Sequence, residues 1–401
     1  MDNIEDDYEV IDNDTYYKED DRKEIIDLKI IREYIISKSY PFEVHNTTTE
    51  DGYILTLFRI PGPKSSINDI QNSYGKKPPI LFQHGILDSA DGWLCNDEAR
   101  CLPFIFANNG FDVWLGNSRG NKYCKKHEKY SVKTFEFWQY SFHEMGKYDL
   151  TANIKYIESI NLSKKKIIYV GHSQGTSSMF SALTYNFPYL KSHIKLFVAL
   201  APVCRLSNMN SFLLQMLEKI NTHKLLKKAS KYEIMPSLTE EKAGFKGKIL
   251  SFLTDNFSNV GLDIISDKNS KNVNDQDSLN LYMKHYPSGT SLKSIMHFVH
   301  IMKAKEFIQY DYKEEANFII YKQTNPPVYD LRKIKEFPIM LIGGENDKLG
   351  DKDDINWLNE QLGLNVIYYK IEPNMGHASF LVGKSIYWFK EPLRIILQNY
   401  I

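Results

Sequence analysis

Apolar residues change their spacing along the chain, and each change predicts an element. The run IIDLKIIREYIISKSY, residues 25–40, repeats Ile and Leu at helical spacing and stops at Pro41, which predicts a helix. FEVHNTTTEDGYILTLFRIP (42–61) alternates apolar and polar residues about Asp51-Gly52, the pattern of a β-hairpin. A polar, loop-like stretch follows at 65–78. PILFQHG (79–85) and FDVWLGN (111–117) are continuous apolar runs and predict buried strands, with CLPFIFANNG between them as a helix ending at Gly110. YDLTANIKYIESI predicts a helix, KIIYVG a strand, Thr176–Phe187 a helix and KLFVALAP another strand. Strand and helix in repeated alternation predict a parallel sheet with helices on its faces.

The rhythm changes near Ser207. NSFLLQMLEKINTHKLLKKAS, GKILSFLTDNF and SLKSIMHFVHIMKAKEF read as helices, separated by polar stretches such as DKNSKNVNDQD. The alternation returns with the strand FPIMLIGGEND, a helix over DINWLNEQLG, the strand NVIYYKIE and a last helix from about Lys384. The expected organisation is an acidic disordered leader (1–24), a first part of an α/β core (25–206), a helical cap or lid insertion (207–325) and the rest of the core (326–401). No internal repeat is visible.

Composition narrows the function classes. Of 401 residues 42% are hydrophobic and 25% charged, which suits a globular chain with a sizeable core. Basic and acidic residues balance at 50 each, so nothing points to nucleic acid or to anionic membranes in general. The aromatic fraction of 13% is somewhat rich; most of the 26 Tyr and 22 Phe read as core, and some could line a large apolar pocket. Four cysteines, with no C-x-x-C pair, make neither a disulfide framework nor a zinc site, and no metal or cofactor is expected. The acidic N-terminus carries no apolar run of signal-peptide type, and no stretch of about 18 apolar residues occurs. The chain therefore reads as cytoplasmic.

Against that background the pentapeptide Gly171-His-Ser-Gln-Gly175 carries chemistry. It fits G-x-S-x-G, with a β-rich run before it and a helical stretch after it, as a nucleophile elbow requires. A serine hydroxyl needs a positioned base, itself held by an acid. In such folds the order is Ser, acid, His. The strand PIMLIGGEND ends at Asp347, with Glu345 as a nearby rival; Asp351, Asp353 and Asp354 read as caps of the next helix. His377 lies in the loop between the last strand and the last helix, and no histidine lies between it and His300. The candidate set is Ser173, Asp347 and His377. Backbone N–H groups of Gln174 and of Ile86, in the loop after PILFQHG, are the candidate oxyanion donors. His84 precedes the serine and reads as shaping that loop.

Longer motifs add a resemblance. QHGILDSADGW, GFDVWLGNSRGNKYCKKHEKY, FWQYSFHEMGKYDL, GHSQGT and the D-x-L-x-D run from Asp347 to Asp351 resemble the acid lipases of the α/β-hydrolase fold, from about Ile31 to the C-terminus. The resemblance implies an α/β-hydrolase fold, Ser173 as nucleophile, Asp347 as acid, His377 as base, and Ile86 and Gln174 as oxyanion donors. It also implies a cap over an acyl-binding tunnel, a structural role for Asn117 and Arg119, and triacylglycerols or steryl esters as substrates. Three features depart from the family pattern. The acidic N-terminus stands where relatives have a signal peptide or anchor, no cysteine lies in the cap to form its disulfide, and Ser379 replaces the usual Asp. The expected function is a serine lipase or esterase, with a lipid droplet or membrane surface as a possible partner. An acyltransferase using the same triad and a catalytically idle lipid-binding module are the alternatives.

Overall fold

The continuous apolar runs become strands buried on both faces. A computed structural model describes residues 19–64, 76–208, 233–234, 270 and 272–401. Helix α1 (Glu19–Ser37) leads into the hairpin β1 (Glu43–Thr48) and β2 (Tyr53–Ile60), whose turn uses Gly52 at φ +95°. β3 (Pro79–Gln83), helix α2 (Leu102–Asn108), β4 (Asp112–Gly116) and the two-residue β5 (Lys126–His127) follow. Next come helix α3 (Leu150–Ile160), β6 (Ile167–His172), helices α4 (Gln174–Tyr185) and α5 (Phe187–His193), and β7 (Ile194–Leu200).

The sheet order is β1-β2-β4-β3-β6-β7-β10-β11, where β10 is Ile339–Gly344 and β11 is Val366–Glu372. The first pairings are antiparallel, and from β4 onward every neighbour is parallel. Every residue of β3, β4, β6 and β10 is buried, whereas edge strand β1 alternates. Alternate side chains of one strand feed opposite cores: Ile80 and Phe82 join one cluster, Leu81 the other. The apolar runs are continuous because both faces are covered.

Residues 201–338 intervene between the neighbouring strands β7 and β10. Their described part holds β8 (Glu233–Ile234) paired with β9 (Thr290–Ser291), and helices α6 (Gln276–His285), α7 (Leu292–Ala304) and α8 (Glu314–Tyr321). Helix α9 (Lys352–Leu362) and helix α10 (Lys390–Asn399) complete the chain.

Several boundaries differ from expectation. Helix α1 begins at Glu19, inside the expected leader 1–24, and Glu24 pairs with Lys126 at 2.9 Å. The helix expected from Thr176 to Phe187 begins at Gln174 and gives way to α5 at Phe187. The last helix starts at Lys390, not near Lys384. Pro392 explains this: it is tolerated in a first turn but would break a helix interior, having no N–H to donate. Helix α6 opens inside the stretch read as a polar loop, capped by the Asp275 carboxylate on the Ser278 N–H. Residues 1–18 and 65–75, and the helices expected at 210–230 and 247–257, lie outside the described residues.

Candidate active site

β6 runs through Gly171 into Ser173, and α4 starts at the next residue. Ser173 holds φ +54° and ψ −120°, a sparsely populated region for a residue with a Cβ, costing on the order of 1–3 kcal/mol. The surroundings enforce it. Its N–H donates to Leu200 O on β7 (3.1 Å), and its carbonyl accepts the Thr176 N–H (2.8 Å) and hydroxyl (2.6 Å). The flanking glycines are required by contact: a Cβ on Gly175 would stand 2.4 Å from Gln83 O, and one on Gly171 2.9 Å from the Gly175 carbonyl carbon. The turn thus presses against the end of β3.

Asp347 lies just past β10 and is buried. Its Oδ1 accepts the N–H groups of Leu349 and Gly350, both at 2.8 Å. Its two oxygens face His377 Nδ1 at 3.0 and 2.9 Å. Burial alone would raise this carboxyl; His377 and the two amides outweigh it and hold it below the usual carboxylate range. The rival Glu345 is exposed and caps the Asn374 N–H instead, and Asp351 caps α9 on the Asp353 N–H as expected. His377, 5% exposed, follows β11, and its loop is tied back by the Asn346 N–H donating to Met375 O (2.9 Å). Ser379 keeps an acceptor beside the histidine: its hydroxyl takes the Gly376 N–H at 2.9 Å.

The loop after β3 lies against the serine. A Cβ on Gly85 would come within 3.4 Å of Ser173 Oγ. His84 donates through Nδ1–H to Gly85 O (2.7 Å) and accepts the Ser118 N–H at Nε2 (3.0 Å). Burial pushes His84 down to about 4, which keeps this neutral tautomer. Peptide units are planar and trans, so turning Gly85 O toward His84 turns the Ile86 N–H to the opposite side. Among the described residues, neither the Ile86 N–H nor the Gln174 N–H has an intramolecular acceptor. Orphan amides next to a serine hydroxyl are what an oxyanion needs.

Sequence reasoning missed His172. Its Nε2–H donates to the backbone carbonyl of His377 at 2.9 Å, binding the loop of the candidate base to the elbow strand. Burial, reinforced by the adjacent His377, pushes His172 down to about 3, so it stays a neutral donor. The only signal was its position inside the elbow pentapeptide, on a strand that turned out to be buried on both faces. Arg119 is fully committed elsewhere, to Asp149 (2.5 Å) and Asp51 (2.6 Å) over the Tyr53 ring. Asn117 accepts the Ala90 N–H (3.0 Å) and donates to Thr56 O (3.1 Å), which buttresses the loop beyond Ile86. All four cysteines are free and buried.

Residues 31–97 match the family described as a partial α/β-hydrolase lipase region, and residues 78–384 match the α/β-hydrolase fold. Human gastric triacylglycerol lipase is 38% identical over 360 residues, covering 88% of this chain and 86% of its own. Bovine gastric triacylglycerol lipase is 36% identical over 350 residues, covering 85% and 84%. Human lysosomal acid lipase/cholesteryl ester hydrolase is 33% identical over 360 residues, covering 89% and 88%. These relatives are named for the stomach and the lysosome, which does not support the cytoplasmic location expected from the leader. No described helix is long and apolar enough to cross a membrane. Among solved structures, naproxen esterase from Bacillus subtilis superposes with a TM-score of 0.50 at 15% identity, covering 95% of this chain and all of its own. A hypothetical protein from Pseudomonas aeruginosa gives 0.52 at 12% identity, covering 90% and 94%; at such identities the likeness speaks for the fold alone. The chain belongs to the acid lipase family of the α/β-hydrolase fold.

Proposed function

We propose that the protein is a serine lipase or esterase that hydrolyses carboxylic esters of neutral lipids, triacylglycerols or steryl esters. The observation that carries the reading is the convergence of three loops. Strained Ser173 and the Asp347–His377 pair follow strands of one mixed sheet, His172 beside the serine bonds the His377 carbonyl, and two acceptorless amides lie in and next to the serine turn. The printed activities of the gastric and lysosomal relatives support the substrate class.

With Nδ1 facing Asp347, Nε2 is the nitrogen of His377 that acts on Ser173. Oγ attacks the ester carbonyl carbon as Nε2 takes its proton, and the carbonyl oxygen becomes an alkoxide facing the Ile86 and Gln174 N–H groups. The alkoxide collapses, the C–O bond to the alcohol breaks, and His377 returns the proton to the leaving oxygen. Water, deprotonated by the same nitrogen, then cleaves the acyl-serine to the carboxylic acid. Asp347 steadies the imidazolium without taking its proton. Helix α6, in the described part of segment 207–325, acts as part of a cap on the loops of this site, and because such esters are insoluble the working surface is a lipid droplet or membrane.

Replacing Ser173 by Ala tests the reading. Turnover of triolein, cholesteryl oleate and a short-chain ester should fall by about four orders of magnitude or more, and fluorophosphonate labelling should vanish. Wild-type turnover in that variant would overturn the assignment. Free acid as the product, in place of a new ester when glycerol or sterol is added, separates hydrolysis from acyl transfer.

A further inference from the structure

One helix of the cap touches both loops that flank the candidate serine. At its start, the Asp275 N–H donates to Val382 O (2.8 Å), a few residues past His377. Asn96 strengthens this end: its amide donates to Leu381 O (3.1 Å) and Gly383 O (3.0 Å), and its carbonyl accepts the Ser278 hydroxyl (3.0 Å). At the other end of α6, Tyr282 donates to Asp88 Oδ2 at 3.1 Å, and the Ser288 N–H donates to Leu87 O at 2.7 Å. Leu87 and Asp88 directly follow Ile86.

Asp88 is built into that loop. Its Oδ1 accepts the Ser89 N–H at 2.7 Å, and Gly92 leaves it room, since a Cβ there would stand 2.4 Å from Oδ2. Asp88 is 2% exposed and Tyr282 4%, so water does not replace either partner readily. Leu87 sits at φ +60°, an unfavourable conformation for a leucine that needs outside support. The hydrogen bond from Ser288 to its carbonyl supplies it. The neighbouring Lys122–Asp91 pair (2.9 Å) is a separate contact, meeting α6 through His285.

We propose that Tyr282 and Asp88 are a positioning pair through which the cap fixes the backbone of the oxyanion loop, so that the Ile86 N–H points at the developing charge only while α6 is docked. The same docking holds the loop of His377, which makes α6 a clamp across both halves of the machinery. The inference rests on Ile86 serving as an oxyanion donor in a serine hydrolase.

Tyr282→Phe removes one hydroxyl and keeps the ring. With a soluble short-chain ester and active sites counted by titration, kcat should fall by about 10-fold while KM stays within about 2-fold. The inhibition constant of butylboronic acid, whose adduct on serine is tetrahedral, should rise by a similar factor. A merely structural role would lower the melting temperature and move neither ratio. Tyr286→Phe, on the ring stacked against Tyr282 at 5.5 Å, is the control and should leave all three readouts unchanged. Where Tyr282→Phe does not fold, Tyr282→Leu carries the same comparison, since it too removes the hydroxyl that donates to Asp88 Oδ2. Wild-type kcat and boronate affinity in the folded variant overturn the proposal. An active Ser173→Ala enzyme would instead overturn the serine-hydrolase reading beneath it.

Discussion

A carboxylate that accepts two backbone amides and one imidazole has little freedom left, and Asp347 is in that position. Its replacement by Asn isolates what the negative charge and the acceptor do for His377. The Asn oxygen can still take the Leu349 and Gly350 amides, so its NH2 would be turned toward His377 Nδ1. That ring would then carry its proton on Nε2 and could not accept one from Ser173. Asp347→Asn should fold normally and lose kcat by about 10⁴-fold, measured on active-site-titrated enzyme. A loss under about tenfold would show that His377 is oriented by other groups. The places of Ser173, Asp347 and His377 just past strands of the sheet were legible in the sequence, because each follows a recognisable apolar run. His172 was not, because its role depends on a backbone carbonyl contributed by a loop 205 residues away in the chain.

Helix α7 shows how an element can be visible in sequence while its chemistry is not. Its apolar spacing announced it, and Ser291 caps it on the Ser294 N–H. The spacing gave no hint that His297 would be wholly buried, stacked on Phe142 at 4.0 Å and bonded to Ser141 (2.9 Å) and Ile308 O (2.9 Å). Burial pushes His297 down to about 3. The unfolded chain binds this proton near pH 6.5, so stability is fully present above that value and is lost as pH falls toward 3. His297→Gln, which can still donate to Ile308, should make stability less steep in pH between about 6.5 and 4, by up to ~1.4 kcal/mol per pH unit. Urea unfolding across that range measures the slope, and an identical slope in both proteins would refute the buried neutral histidine. Helix α6 was harder to read than α7. Its capping Asp275 lies in a polar run, and its buried residues, Ser278, Leu279 and Tyr282, are few and partly polar; Leu279 and Tyr282 join an apolar cluster while Ser278 and Tyr282 also bond to Asn96 and Asp88.

At the scale of the whole molecule, the α/β alternation was legible because the central strands are buried on both faces and so read as unbroken apolar runs. The excursion of residues 201–338 obeys no such rule: among its described helices, α6 bonds to the loops after β3 and His377, and α7 sends Phe298, Val299 and Ile301 into a core cluster. That excursion begins and ends on adjacent strands, β7 and β10, which pair in parallel from Phe197–Ile339 to Leu200–Ile342. Ser173 therefore arrives on one length of polypeptide and Asp347 and His377 on another, and the β7–β10 ladder joins the two lengths independently of the covalent link. Such a chain can be treated as two complementary halves. A single engineered protease site within residues 235–269, once cut, should leave fragments that separate in denaturant but elute together under native conditions and still turn over ester. Fragments that part on native gel filtration would mean that the strand ladder alone cannot keep the halves assembled. If they stay together, the fold tolerates a break in its own thread, and the two fragments refolded separately and then mixed should regain ester hydrolysis.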